Sequence, residues 1–341
     1  MSEVARPISV GSAKPAHRVV FAVLLLVVVL LAAAPYWADR DGIRLLGEFF
    51  AYAALASLWN LLAGYAGLVS VGQQAFVGLG GYVMVALATF AGVNPLFAIP
   101  VAALAAGAIA VPVAMLTFRL RGAYFAIGTW VVAEVFRLLN AQIGALGGGS
   151  GASLPARVVL GIARNRATRE AITYWVALAL VLLVLGVIVL LLRSRFGLAL
   201  TAIRDNELAA RSNGVEVGRV KLLVYVLVAA ATGMVGAWIF LQKLRVSPDS
   251  AFDVNDWTAL VIFMTVIGGI GSLEGPIIGT VIFFIMRESL SDLGSVYLMI
   301  LGLVAIAVML RAPRGLWGAV AARTGWQMIP LRRLVRMREG L

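Results

Sequence analysis

Apolar runs long enough to cross a bilayer recur almost from end to end of the chain, separated by short polar or glycine-rich connections. A helix needs about 20 predominantly apolar residues to span the hydrocarbon core, so this pattern predicts a succession of membrane-crossing helices. The first run, 19–36, ends at Tyr36 and Trp37, which suit the interfacial aromatic belt. A second covers 43–63 and a third 73–91. The Asn94-Pro95 turn opens a fourth that ends at Phe118, and a fifth covers 122–140. A polar connection, 141–171, is rich first in glycine and then in arginine. The sixth run, 173–192, is the cleanest. After a charged segment, 193–221, a seventh run covers 222–241, and a loop over 243–256 carries Asp249, Asp253 and Asp256. The block 257–286 is too long for one span and is interrupted by glycines at 268–275. Two shortened spans or a re-entrant hairpin both fit. A final run covers 295–310. Counted with the split block as two, the fold class is all-α: a polytopic helical membrane protein of about ten passes with Gly-rich broken or re-entrant segments.

The distribution of charge orients these passes. Of 28 basic residues against 16 acidic ones, net +12, most cluster in four places. These are the N-terminal segment (Arg6, Lys14, Arg18), the pair Arg119 and Arg121, the segment 193–221, and the C-terminal segment with Arg311, Arg314, Arg323, Arg332, Arg333, Arg336 and Arg338. The positive-inside rule assigns all four to the cytoplasm, which places both termini there and makes an even number of crossings the consistent one. Arg157, Arg164, Arg166 and Arg169 depart from the rule, because they fall in a connection assigned to the outside. The run Ala32, Ala33, Ala34 also permits a signal-peptide reading, in which cleavage removes the first span. A basic chain could bind nucleic acid, but no soluble basic face or groove-reading motif accompanies the charge.

Composition removes several classes of function. With 62% hydrophobic and 13% charged residues and a mean hydropathy of +0.99, the chain cannot coat a soluble domain with polar surface, so a soluble enzyme is excluded. The absence of cysteine excludes disulfides, thiolate metal sites and cysteine nucleophiles. The single histidine, His17, makes no metal cluster or proton relay, and no metal site is expected. The phosphate-cradling pattern GxxxxGK[ST] is also missing, so if ATP drives this protein another chain binds it.

The residues that could carry function gather around the glycine breaks. Gly67 to Ser70 and Gly269 to Ser272 share a GxxS pattern, a hint of an internal repeat, although both breaks fall on one side, unlike a simple inverted repeat. Hydrocarbon cannot satisfy backbone freed at such breaks, so Gly67, Gly72, Gly269, Gly271 and Gly275 either line a water-filled pathway or let helices pack closely. Asn60, Ser70, Gln73, Gln74 and Ser272 are the polar residues at these breaks, suited to touch a polar substrate or to cross-link helices. Glu134 and Arg137 share a face of the fifth run and can pair, as a structural tie or as a substrate contact or gate. Glu48 and Glu274 are isolated acids, and a proton-coupled secondary carrier would use such groups. In the charged segment, FGLALTAIRDNELAARSNG (196–214) reads as one short amphipathic helix with Leu200 and Ile203 on one face, stopped by Asn213-Gly214. Such a helix can dock into a groove of a soluble partner or lie in the lipid interface.

Six motifs in order resemble one family. NLLAGYAGLVSVGQQAFVGLGGY (60–82), RLRGAYFAIGTWVVAE (119–134) and LGGGSGASLP (146–155) are similar to its signature, its entry to the fifth span and its outer glycine-rich loop. SRFGLALTAIRDNELAARSNGVEVGRVKLL (194–223) resembles its coupling loop, with Glu207, Ala209, Ala210 and Gly214 matching an ExAAxxxG core and Arg204 just before it. VIGGIGSLEGPIIG (266–279) and APRGLWG (312–318) resemble its closing motifs. The family is the integral-membrane permease subunit of branched-chain (hydrophobic) amino-acid ABC importers.

The resemblance implies a transporter subunit and not an enzyme, in a bacterial inner membrane. It would have a cytoplasmic N-terminal tail (1–18), a permease domain (19–310) with its coupling loop at 193–221, and a basic cytoplasmic tail (311–341). It implies a second homologous permease subunit, two cytoplasmic ATPase subunits that hold the ATP and Mg, a periplasmic substrate-binding protein and the lipid bilayer as partners. This chain itself would bind no cofactor, and no nucleic acid. Asn60, Ser70, Gln73, Gln74, Glu134 and Ser272 become candidates for the translocation pathway. Leu68 and Gln73 stand where many members carry Gln and His, which bears on the substrate. Relatives in the family also serve importers of urea, short amides or aromatic acids.

Overall fold

The computed structural model describes residues 8–11, 16–290, 294, 296–312, 315–324 and 334–337. Arg6, Lys14, Ser295, Arg314, Arg332, Arg333 and Arg338 lie outside them. Fifteen α-helices occur among the described residues. Helix α1 (Ala16–Ala32) ends in a 3₁₀ turn, Ala34–Tyr36. Asp39 caps α2 (Arg40–Asn60) by accepting from the Gly42 amide at 3.1 Å, and α2 runs on into a π-helical turn, Leu61–Tyr65. Helix α3 (Gln73–Phe90) is followed by α4 (Pro95–Thr117), which opens with an Asn94 cap and proline at its first position. Then come α5 (Ala123–Ala141), the short α6 (Ala156–Ile162) and the long α7 (Arg166–Arg193). The charged segment forms α8 (Arg195–Asp205) and α9 (Glu207–Ser212). Helix α10 (Val217–Lys243), the single turn α11 (Pro248–Ala251), α12 (Leu260–Gly268), α13 (Gly275–Ser289), α14 (Val296–Arg311) and α15 (Gly315–Thr324) complete the order.

The protein is an all-α, multi-pass membrane fold, and seven helical stretches among the described residues are long and apolar enough to cross a bilayer. Two short antiparallel ribbons interrupt the helical pattern, one pairing Ala152–Ser153 with Arg245–Val246 and the other Ile8–Gly11 with Leu334–Met337.

Helices α3, α4 and α10 form the centre, and α2 packs on α7 beside them. In lipid, helices associate through close packing rather than hydrophobic burial, so small residues set how near two backbones come. A Cβ on Gly80 of α3 would overlap the Gly233 carbonyl of α10, so this crossing requires glycine. Between α2 and α7, Phe50 and Tyr174 meet with ring centroids 5.6 Å apart, and the Tyr174 hydroxyl donates to the Leu31 carbonyl at 2.7 Å, tying in the end of α1.

Helix α7 starts at Arg166, before the apolar run read from 173. At 1.5 Å per residue its 28 residues span about 42 Å, more than the hydrocarbon core. Arg166 therefore sits on the projecting turns, where it donates to Glu170 at 2.8 Å, and Glu170 also faces Arg40 at 3.8 Å. One basic residue that departs from the charge rule is thus partly neutralised by an acid on its own helix.

The block 257–286 is a hairpin of two shortened helices. A π-helical turn, Asn255–Ala259, leads into the 9-residue α12, and the 15-residue α13 returns beside it. The chain reverses through Gly269 and Gly271, whose φ angles of 132° and 78° other residues rarely adopt.

The segment 196–214 is two helices rather than one. Asn206 is extended, with φ −159° and ψ 106°, and its side chain accepts from the Ala209 amide at 3.0 Å to cap α9. Asparagine in a helix interior competes with the helix by bonding nearby backbone, and here that competition breaks the helix in two.

Candidate functional site

Both glycine breaks and the charged segment converge on one junction. Asn60 is the last residue of α2, and the π-helical turn after it widens the backbone before the chain runs without regular structure to Gly72. The Asn60 amide spans the gap to the second break. Its Nδ2 donates to the Ser272 carbonyl at 2.7 Å and its Oδ1 accepts from the Gly271 amide at 2.8 Å. A single buried side chain thereby satisfies a donor and an acceptor that the 269–274 turn leaves outside any helix. Ser272 closes that turn from within, donating to the Gly269 carbonyl at 2.8 Å and accepting from the Gly275 amide at 3.1 Å. The two backbones approach closely here: a Cβ on Gly64 would stand 2.6 Å from the Gly271 nitrogen.

Helix α8 grips the same place. Arg204 Nη1 donates to the Gly64 carbonyl at 3.0 Å, while its Nε bonds Asp205 at 2.9 Å. From the C-terminal side, a Cβ on Gly315 would overlap Gly269, so the start of α15 rests on the second break.

The remaining polar residues tie the first break to the bundle. Trp59 Nε1 donates to the Ser70 carbonyl at 2.8 Å, and the Ser70 hydroxyl accepts from the Gly72 amide at 3.2 Å. Thr129 of α5 accepts from the Val71 amide at 3.0 Å. Gln73 accepts from the Thr232 hydroxyl of α10 at 3.4 Å, and Gln74 accepts from the Thr258 hydroxyl in the turn before α12. Asn60, Ser70, Gln73 and Gln74 are all buried in this conformation. Glu134 is not at the junction. It lies along α5, where Arg137 donates to it at 2.6 Å and reaches Asp249 of α11 at 2.8 Å.

The apolar stripe of α8 does not face outward. Leu200 and Ile203 are buried against the bundle, so they are not the surface a soluble partner would meet. The exposed apolar residues of this segment are Leu208 at 76%, Leu198 at 63% and Phe196 at 45%. Leu208 stands beside Glu207 and the exposed Ala209, inside the motif read from the sequence, whereas Ala210 is buried. Glu207 accepts from Lys221 at 2.7 Å and Arg211 at 2.9 Å. The Lys221 hydrogen bond is the main reason its carboxyl titrates below the ordinary range. Gly214 follows α9 with φ 82°, the left-handed geometry of a helix stop. Thr129, Thr232 and Thr258 are hydrogen-bond partners of the first break that sequence reasoning missed, because nothing in their spacing marks them as partners of residues far away in the chain.

A family model described as "Branched-chain amino acid transport system / permease component" matches residues 43–311. The chain is 30% identical to the high-affinity branched-chain amino acid transport system permease protein LivM of Salmonella typhimurium, over 86% of this chain and 74% of that protein. The LivM of Escherichia coli is similar to the same degree, 30% over the same shares. The probable branched-chain amino acid transport permease protein LivH of Methanocaldococcus jannaschii is 27% identical over 40% of this chain and 45% of its own length. No solved structure matches.

Proposed function

This chain belongs to the permease family of branched-chain amino acid ABC importers, and we propose that it forms one half of an ATP-driven import pathway for branched-chain or other hydrophobic amino acids. It is a multi-pass protein of the inner membrane. In the reading proposed here it crosses about ten times, α1, α5 and α13 being added to the seven long apolar stretches. Both termini are cytoplasmic, and residues 19–310 form the permease domain between the two tails. A second homologous permease completes the pathway and a periplasmic binding protein delivers substrate. Two cytoplasmic ATPase subunits carry the ATP and Mg.

The observation that carries this reading is the direct bond from Arg204 on α8 to the Gly64 carbonyl. The ATPases dock on the exposed face of α8 and α9 around Leu208 and Ala209. Their closure displaces Arg204, which moves the first break. Asn60 passes that movement to the second, so the two breaks shift as one unit between an outward- and an inward-facing state. Each state is favoured by its own contacts, as any ligand-driven switch requires. Asn60, Ser70, Gln73, Gln74, Glu134 and Ser272 reach the pathway in the state so opened. Co-purification of the ATPases with Leu208→Asp tests the docking face. The side chain is exposed, so the variant folds but loses its ATPases, and their full retention on the variant would exclude this face.

A further inference from the structure

Toward the other ends of these helices, α2, α10, α12, α13 and α14 border a cavity of about 210 Å³. It is smaller than the roughly 300–1,000 Å³ pockets that hold drug-sized ligands. One wall is aromatic: Tyr52 stacks on Trp257 with centroids 5.9 Å apart and meets Phe283 at 6.0 Å. Four charged residues also line it: Glu48, Lys243, Asp256 and Arg287.

Two of the four are matched. Arg287 donates to Glu48 at 3.1 Å, and its guanidinium lies 4.5 Å from the Phe284 ring centroid. The other two are not. Among the described residues, no donor bonds the Asp256 carboxylate, and Lys243 makes neither a hydrogen bond nor an ion pair. The Lys243 ammonium rests 4.7 Å from the Trp257 ring centroid. Asp256 is half-buried and Lys243 exposed on the same cavity, and although the Lys243 and Arg287 charges act on Asp256, neither forms an ion pair with it. A cationic ligand would be repelled by Lys243 and an anionic one by Asp256. A small ligand carrying both charges completes two ion pairs at once and lays its remaining surface on the aromatic wall.

We infer that this cavity is a binding site for a small zwitterion with an apolar side chain, its carboxylate held by Lys243, its ammonium by Asp256 and its side chain by Tyr52, Trp257 and Phe283. The inference rests on the importer reading only in making that ligand a transported amino acid.

The test is binding of radiolabelled L-leucine to the assembled permease complex in nanodiscs, without ATP and without binding protein, alongside uptake by the intact importer. Binding is expected to saturate, to be displaced by L-valine, and to resist isocaproate, which lacks the ammonium, and isoamylamine, which lacks the carboxylate. Asp256→Asn and Lys243→Gln should each weaken it about tenfold or more, as removing one partner of a charge pair that the bound ligand covers does, with elution of the complex unchanged. Lys243 is exposed, so its variant remains informative if Asp256→Asn fails to fold. Uptake without saturable binding, or equal competition by the single-charge analogues, or binding indifferent to both substitutions, overturns the site and leaves the importer reading intact. Binding with the predicted selectivity in an assembly that does not import leucine keeps the site and overturns the importer reading.

Discussion

Helix α2 meets polar chemistry at its C-terminal end and near its middle, and the two places treat it in opposite ways. At its C-terminal end Asn60 is matched on both sides, donating to Ser272 and accepting from Gly271, and Arg204 closes the remaining Gly64 carbonyl. Near its middle Glu48 and Tyr52 border a cavity where the Asp256 carboxylate and the Lys243 ammonium make no hydrogen bond or ion pair among the described residues. A satisfied network has one low-energy arrangement and moves as a unit. Two opposite charges without a hydrogen bond or ion pair keep their capacity to bind. The first suits the transmission of force and the second suits the capture of a ligand.

The comparison breaks most sharply on stability. Asn60→Leu leaves the Gly271 amide and the Ser272 carbonyl buried without partners, an expected loss of about 2–6 kcal/mol at roughly 1–3 kcal/mol per orphaned group. Asp256→Asn removes no bond, and its unfolding temperature should stay at or above wild type. Thermal unfolding of both variants in detergent checks this, and equal destabilisation by the two would erase the distinction.

A middle-sized effect concerns access. The chain has no native cysteine, so single cysteines report cleanly. Gln73→Cys and Gln74→Cys replace buried residues and should resist aqueous thiol reagents in the resting importer, then react when ATP drives the other state. Protection in both states would remove these positions from the pathway.

The smallest effect is electrostatic. Glu207 titrates below its ordinary range, so its stabilising contribution is complete above that range and is lost as pH falls through its depressed folded-state value. The residue is partly exposed, so the contribution is under about 1 kcal/mol. Proteolysis between α9 and α10 should therefore be constant from about pH 8 to pH 5 and rise only in stronger acid. A rise already at pH 6 would argue against the Lys221 contact.

Much of this was legible in one dimension, because the controlling features are local. Run length marks the spans, the glycines at 268–275 mark a hairpin, and Asn213-Gly214 marks a helix stop. Asn206 was visible too, but its capping role is decided by backbone geometry and not by its place in an amphipathic pattern. The stripe of Leu200 and Ile203 announces an apolar face without saying which body buries it, and the protein's own bundle does. The bond from Asn60 to Gly271 joins residues 211 positions apart. No spacing rule reaches that far, because the contact exists only once two broken helices have been brought end to end.

In the proposed coupling, movement of α8 reaches both breaks through Arg204. It is tested most directly by reconstituting the complete importer with Arg204→Gln and measuring leucine taken up per ATP hydrolysed. Coupling free energies between sites commonly correspond to about 5- to 150-fold effects. Hydrolysis is expected to continue while uptake per ATP falls about tenfold. An unchanged ratio of uptake to hydrolysis would contradict it.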